Sequence, residues 1–187
     1  MGGIVRLNFI KEPRGRIYRG LLDFALGKCE TALLVLGPFL TARGQTVLAQ
    51  LEPFLKQKAE SSEWPGTQLL GGTAWVLRYH FTSECAEILK RAVSGLYRWL
   101  QPDFPEDLCL LRTDGRPWLV SIAHERDGYL DLTSEEKTHL FEAFPRLKAL
   151  VRAGFQPPPL RAASHWRQRR HSRRASYRDG SGWSRRR

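Results

Sequence analysis

The sequence has few of the residues that build covalent or metal-bound frameworks. Its 187 residues include three cysteines, Cys29, Cys85 and Cys109, and no CxxC pair. An odd number of widely spaced cysteines argues against a disulfide framework and against a cysteine-based zinc site. We therefore expect reduced, partly buried thiols, as in a cytosolic protein.

Long hydrophobic runs are also missing. The longest strongly apolar run, 31–40, is about half the ~20 residues that a membrane helix requires. The N-terminus shows no apolar core of a signal peptide. Arg6 stands where a myristoylation signal requires Ser or Thr. These absences predict a cytoplasmic protein that does not contact a membrane.

Negative charge is scarce at the two ends of the chain. The formal net charge is +11, and residues 156–187 contain ten Arg against a single acid, Asp179. Residues 1–19 add five basic residues against Glu12, whereas residues 20–155 hold 15 basic and 17 acidic residues. Because counterion release from nucleic acid needs clustered Lys or Arg, phosphate binding is expected at the ends.

Composition and periodicity divide the chain into three segments. Residues 1–17 read as a basic N-terminal arm, 18–155 as a single α/β domain, and 156–187 as an Arg-rich tail. The tail has too little apolar surface to offset the entropy of ordering, so it is predicted to be disordered.

The domain is predicted to have an α+β fold, with helices packed on a mixed or antiparallel sheet. Strands are expected at 31–39 and 73–81, and helices at 41–54 and, with Ser83 as N-cap, 83–100. A three-stranded meander follows at 108–112, 118–124 and 129–132, joined by Asp-Gly turns at 114–115 and 127–128. Thr133 and Glu136 then match a capping box.

The second Asp-Gly turn generates a candidate catalytic pair. If Asp127-Gly128 is a two-residue turn, His124 lies opposite Asp131, with Cβ atoms roughly 5 Å apart. Such a carboxylate would orient the imidazole and favour its charged form. Candidate catalytic residues are therefore His124, Asp131 and Glu125. A purely structural hairpin explains the same pairing, and that alternative stays open.

Two further motifs suggest a nucleotide-binding loop and a catalytic Cys–His dyad, but neither has the residues or the spacing that its chemistry requires. Residues 66–73 resemble the phosphate-binding pattern GxxxxGK[ST], but Gly72 replaces the lysine and a strand follows instead of a helix. Cys109 and His124 share a face of the predicted hairpin but are separated by four residues, or roughly 13 Å, so they cannot form a nucleophile–base dyad. No cofactor is expected.

The acidic group Asp103, Glu106 and Asp107 precedes the meander. It has no paired histidine and no fixed ligand spacing, so it is interpreted as a solvated loop rather than a metal site. No metal is expected.

Aromatic residues supply the candidates for binding. Trp64, Trp99 and Trp118 are proposed to anchor an interaction surface, since aromatics are enriched at such sites, and packing beneath loops is the alternative. In the tail, arginines interleaved with Trp and Tyr are typical of weak, non-specific nucleic-acid binding. The tail candidates are Arg167, Arg169, Arg170, Arg173 and Arg174. A merely solubilising tail is the alternative there.

Several short motifs carry a resemblance to a known family. They are EWPGT at 63–67, LLG at 69–71, YRWL at 97–100, PEDL at 105–108 and IAHER at 122–126. Together they resemble a family of small uncharacterised bacterial proteins, some labelled stage III sporulation protein AH. The resemblance covers roughly residues 18–150. The label implies a membrane-anchored component of a sporulation channel, and because this chain shows no transmembrane segment, no catalytic residue or activity is carried over.

Three functions are therefore expected in order. The first is a non-enzymatic module that binds a protein partner and could be regulatory. It predicts an exposed apolar patch around Trp64, Trp99 or Trp118. The second is a small hydrolase or acid/base enzyme, and it predicts that His124 opens into a concave pocket with another polar group converging on it. The third is nucleic-acid binding through the tail.

Overall fold

The computed structural model describes residues 3–154, which form an antiparallel sheet with helices packed on it. Eight strands form the main sheet: β1 (Ile4–Phe9), β2 (Cys29–Leu36), β3 (Leu55–Ser61), β6 (Ala74–His80), β7 (Glu106–Arg112), β8 (Pro117–Ile122), β9 (Asp127–Thr133) and β10 (Val151–Ala153). Two short strands, β4 (Glu63–Trp64) and β5 (Thr67–Gln68), form a separate hairpin. The helices are α1 (Gly15–Ala25), α2 (Ala42–Leu51), α3 (Ser83–Ala92) and α4 (Ser134–Ala143).

The main sheet has the order β10-β1-β9-β8-β7-β2-β6-β3, and all its neighbours are antiparallel. The predicted α+β class, the central strand β2 and the meander β7–β8–β9 are confirmed. The predicted capping box is also confirmed, because Thr133 Oγ1 accepts from the Glu136 amide and Glu136 accepts from the Thr133 amide. No helix within residues 3–154 is long and apolar enough to cross a membrane.

Each face of the sheet buries its own core. Alternate residues of a strand point to opposite faces, so Ala32 and Leu34 of β2 face the helices while Leu33 and Val35 face away from them. The helix side holds the larger core. The smaller core on the other side is covered by the β4–β5 hairpin through Trp64.

The interpretation of residues 1–17 as a peripheral arm is wrong for 4–9. Strand β1 lies between β9 and β10, and Leu7 and Phe9 are buried in the larger core. The period-2 apolar pattern of Val5, Leu7 and Phe9 was the available signal, and the basic residues beside it obscured it. Helix α1 likewise begins at Gly15, inside the predicted arm.

The helix predicted for 83–100 ends at Ala92, and its N-cap is Thr82 rather than Ser83. Beyond it the chain is extended at 93–95, where it pairs with the segment before α1, and Leu96–Arg98 then form a short 3₁₀ helix. The Gly15 amide donates to the Ser94 carbonyl at 2.8 Å, and the Leu96 amide donates to the Pro13 carbonyl at 3.1 Å. Backbone pairing therefore replaces helical hydrogen bonds while Leu96, Tyr97 and Trp99 stay buried.

Two of the predicted binding tryptophans lie in the larger core. Trp99 is 0% exposed and donates from Nε1 to the Tyr18 hydroxyl at 2.9 Å, which in turn donates to the Leu89 carbonyl at 3.1 Å. Trp118 is also 0% exposed and stacks on Phe24, and its Nε1 has no acceptor among residues 3–154. Their placement is structural.

Because only Trp99 donates a hydrogen bond from its indole, replacing each tryptophan by phenylalanine should lower the free energy of unfolding by different amounts. Trp99→Phe removes a donor from a buried hydrogen-bonded chain, whereas Trp118→Phe removes a buried N–H without an acceptor. We expect Trp99→Phe to lower the free energy of unfolding by about 1–2 kcal/mol more than Trp118→Phe. Urea unfolding of the two variants measures this, and equal losses would show that the Tyr18 chain contributes nothing.

Candidate active site

The connection between β8 and β9 differs from the predicted two-residue turn. Ile122 pairs with Asp127 and Ser121 with Gly128, so both Asp127 and Gly128 belong to the ladder. The connection itself is a 3₁₀ turn at Ala123–Glu125, followed by Arg126 in the left-handed region with φ 55°. Gly128 instead allows the backbones of β8 and β9 to approach closely, because a Cβ at this position would lie 2.5 Å from the Val120 carbonyl oxygen.

The predicted pairing of His124 with Asp131 is therefore wrong. Asp131 lies opposite Arg6 of β1, and its two carboxylate oxygens accept from the Arg6 guanidinium at 2.7 and 2.6 Å. The same guanidinium stacks over the Tyr129 ring at 3.8 Å. Asp131 thus belongs to the contact between β1 and β9.

A different carboxylate meets His124. Glu106, the first residue of β7, places Oε1 at 3.2 Å from His124 Nδ1. The Glu106 side chain is 3% exposed and that of His124 is 15% exposed. On the other side of the ring, Nε2 lies 3.9 Å from Oε1 of the predicted catalytic residue Glu125, whose side chain is 31% exposed. Nδ1 therefore faces the protein interior, and Nε2 is the nitrogen on the solvent side.

The interpretation of the acidic group as a solvated loop is wrong for Glu106 and Asp107. Asp107 is 1% exposed and has a left-handed backbone with φ 58°. Its Oδ1 accepts from the Ala123 amide at 2.8 Å, and its Oδ2 accepts from Trp64 Nε1 at 2.9 Å and from Thr67 Oγ1 at 3.5 Å. Trp64 is thus a buried hydrogen-bond donor, and none of Trp64, Trp99 and Trp118 presents its own side chain as an exposed binding anchor.

Burial and neighbouring charge shift the titration of this cluster. Burial, reinforced by the negative charge of Glu106, raises the pKa of Asp107 to about 7, although hydrogen bonds from Trp64 and Ala123 oppose the rise. Burial by itself lowers the pKa of His124. The hydrogen bond to Glu106 and the charges of Asp107, Glu106 and Glu125 outweigh it and raise that pKa above 6.5. The imidazolium form is therefore favoured.

Glu106, Asp107 and His124 are also the side chains that could hold a cation. Each offers one ligand atom, and these atoms lie within 4.8 Å of one another. Both oxygens of Asp107 already accept N–H hydrogen bonds, however, and the Glu106 carboxylate already contacts His124. The arrangement as it stands is suited to holding a proton between the carboxylates and the imidazole.

His124 lines a cavity of about 560 Å³ at the surface. The volume lies within the ~300–1,000 Å³ range of small-molecule sites. Most charged side chains in the wall are basic. Besides His124, they are Arg14, Arg43, Arg98 and Arg126, against Glu12 and Asp103. Glu12 is itself ion-paired with Arg14.

Tyr97 also lines the cavity. Its side chain is mostly buried, and its hydroxyl has no hydrogen-bond partner among residues 3–154. Burial, together with the charges of Asp127 and Glu12, raises the pKa of Tyr97, so the hydroxyl keeps its proton. The hydroxyl oxygen itself is buried, so the exposed part of Tyr97 in the cavity wall is not its polar group.

Several segments that carry the family resemblance meet at Asp107. Trp64 and Thr67 contact its carboxylate, the Ala123 amide donates to it, and its own amide donates to the Trp99 carbonyl at 3.3 Å. Comparison with protein-family models, curated proteins and solved structures gives no match to this chain. The resemblance therefore stays a prediction.

Sequence reasoning identified His124 but missed Glu106 and Asp107. The available signal was their position directly before the uninterrupted apolar run 108–111 of a central strand, where burial is the rule. The nucleic-acid candidates Arg167, Arg169, Arg170, Arg173 and Arg174 lie outside the residues that the structure describes.

The double hydrogen bonding of Asp107 predicts the effect of Asp107→Asn. The amide has one acceptor oxygen, so its NH₂ group must face the N–H of either Trp64 or Ala123. We expect the free energy of unfolding at pH 7 to fall by about 1–3 kcal/mol. Asp103→Asn, on the exposed member of the acidic group, is the matched control and should change it by less than about 0.5 kcal/mol.

The same residue predicts a pH dependence of stability. Because the Asp107 pKa is raised from 3.8 to about 7, the folded state retains a proton that the unfolded state has lost between these values. The contribution of Asp107 to stability should therefore decrease as pH rises through this window. Urea unfolding at pH 4–7 should show a smaller decrease for Asp107→Asn than for the native chain. Identical pH profiles would contradict the raised pKa.

Proposed function

We propose that this protein is an acid/base enzyme of the hydrolase class that binds an anionic group of its substrate in the cavity beside His124. The observation that carries the proposal is the placement of His124. Its Nδ1 is held by the buried Glu106 carboxylate, and its ring lines a cavity rich in arginine. In this proposal Glu106 has the role that the sequence analysis expects for Asp131.

The charge of the cavity favours an anion. Arg43, Arg98 and Arg126 line it, and none of them forms an ion pair within residues 3–154. Arg43 instead stacks over Phe104, with its guanidinium carbon 4.7 Å from the ring centroid. Positive charges that line a concave site focus the electrostatic potential and raise the local concentration of anions. Guanidinium groups also match the geometry of phosphate and carboxylate.

The proton chemistry follows from the Glu106–His124 contact. A carboxylate that accepts from Nδ1–H orients the ring and stabilises the imidazolium, as in carboxylate–histidine pairs of hydrolases. Nε2 can then give its proton to the leaving oxygen of the substrate and recover one from the attacking water. In this proposal His124 is the catalytic residue and Glu106 is a positioning residue.

The other two functions have less support within the described residues. The interaction module was expected to expose an apolar patch at Trp64, Trp99 or Trp118, and all three side chains are buried. Nucleic-acid binding through the tail concerns residues beyond 154.

Anion binding is tested with sulfate, whose charge is constant over the working pH range. We expect sulfate to shift the NMR signals of His124 and of the neighbouring 123–126 amides. Affinity should decrease as pH rises through the His124 pKa, because the imidazolium contributes to binding below it. Arg126→Ala should weaken binding about tenfold, since one charge-assisted hydrogen bond contributes roughly 1.5 kcal/mol. Arg146→Ala, an exposed arginine that does not line the cavity, is the control.

Catalysis is tested with a panel of phosphate esters and carboxylate-bearing esters. For a substrate that is turned over, His124→Gln should lower kcat by about 100-fold or more, the usual contribution of general acid catalysis. Glu106→Gln should lower kcat less and move the pH–rate profile to lower pH, because the imidazolium loses its counter-charge. His139→Gln, on an exposed histidine of α4, should change neither. Full activity in His124→Gln would refute the proposed role.

A further inference from the structure

The cavity is the middle part of a longer basic groove. A depression of about 590 Å³ adjoins it and shares Arg43 and the 92–94 segment as lining. A second, of about 390 Å³, adjoins it on another side and shares Glu12, Arg14, Tyr97 and Arg126. We call the cavity with these two flanking depressions the basic groove.

The basic groove concentrates positive charge that the net charge of the domain conceals. Its walls carry eight Lys or Arg residues against four Asp or Glu residues, besides His124. Six of these cations have no carboxylate partner within residues 3–154. They are Lys11, Arg19, Arg43, Arg91, Arg98 and Arg126. Three of the eight cations, Lys11, Arg14 and Arg19, belong to the basic segment 1–19, where phosphate binding was expected, and the other five belong to residues 20–155.

We infer that the basic groove binds an extended polyanion, a single-stranded nucleic acid, with one nucleotide placed in the cavity. The inference rests on the proposed anion binding at the cavity and names its ligand class. A chain of phosphates can contact the cations that line the cavity and those that line both flanking depressions, whereas a small anion would contact those of the cavity alone. Neutralising several phosphates releases counterions and favours binding.

The shape of the site favours a single strand over a membrane or a duplex. A flat anionic membrane would contact protruding residues and could not enter a concave cavity of about 560 Å³. A single strand can turn one nucleotide out of its stack and into such a cavity, which a base-paired duplex does only at the cost of unpairing.

An exposed aromatic residue near the cavity fits the same ligand. Phe39 is 75% exposed, and its carbonyl oxygen lies 3.2 Å from the side-chain amide of Gln101, which lines the cavity. Leu100, another lining residue, is 37% exposed. Bases stack on exposed aromatic rings without sequence preference, by about 1–3 kcal/mol per base.

The test measures binding of a fluorescent oligothymidylate of about twelve nucleotides, a length typical of single-strand sites, to the full chain over a series of salt concentrations. The variant Arg19→Ala/Arg91→Ala removes two cations of the larger flanking depression that do not line the cavity. We expect its affinity to fall at least tenfold. The slope of log K against log salt should decrease by about 1.4, or about 0.7 for each phosphate contact.

The matched control is Arg146→Ala/Arg152→Ala, which removes the same charge from two exposed positions outside the basic groove. Every protein keeps the Arg-rich tail, so its contribution is the same throughout. Equal losses in the two double variants, or no loss in either, would overturn the inference. Loss of binding to phosphatidylserine vesicles in Arg19→Ala/Arg91→Ala, with oligonucleotide binding unchanged, would overturn the ligand class.

Sulfate binding separates the two proposals. Arg19→Ala/Arg91→Ala leaves the cavity wall intact, so sulfate should bind it as it binds the native chain. If sulfate does not bind at His124 while the oligonucleotide binds through Arg19 and Arg91, the proposed function fails at the cavity and the basic groove is confined to its flank. If sulfate binds and the oligonucleotide does not depend on these arginines, the ligand is a small anion.

Discussion

The buried carboxylate of Asp107 is the constraint on which the candidate site depends. A carboxylate in an apolar core is tolerated only when its oxygens accept hydrogen bonds, and here Trp64 and the Ala123 amide supply them. The first donor ties the β4–β5 hairpin over the smaller core. The second determines where the chain leaves β8. His124 follows Ala123 directly, so the hydrogen bond that satisfies Asp107 also places the imidazole beside Glu106 and at the cavity wall.

The positions of the charged residues matter more than the net charge of the domain. Residues 20–155 are close to neutral in sum, but α1, α2, α3 and the turn before β9 each direct an arginine towards one groove. The buried carboxylates of Glu106 and Asp107 lie on the interior side of His124. The groove therefore presents cations to a ligand, while the buried carboxylates raise the pKa of His124. A proton donor inside a cationic cavity is the combination that an anionic substrate requires.

Local sequence signals predicted most of the fold and only part of the site. The capping box at Thr133 and the meander depend on neighbouring residues, and both are confirmed. Strand β1 and the end of α3 depend on pairing with distant segments, which periodicity does not reveal. The same limit explains the error at His124. An Asp-Gly pair usually marks a turn, but here Asp127 and Gly128 pair with β8, and Gly128 is needed because a Cβ would collide with the Val120 carbonyl oxygen. The histidine therefore lies before β9 in a 3₁₀ turn, and its carboxylate partner, Glu106, comes from β7.

The most direct test of this account is the pKa of His124, measured by NMR of its imidazole nitrogens in the native chain and in Glu106→Gln. We predict a value above the ordinary 6.5 in the native chain, a lower value in the variant, and a further rise when sulfate is added to the native chain. A native pKa at or below 6.5 that neither the substitution nor sulfate changes would contradict it. His124 would then be a surface residue with no functional connection to Glu106 or to the cavity.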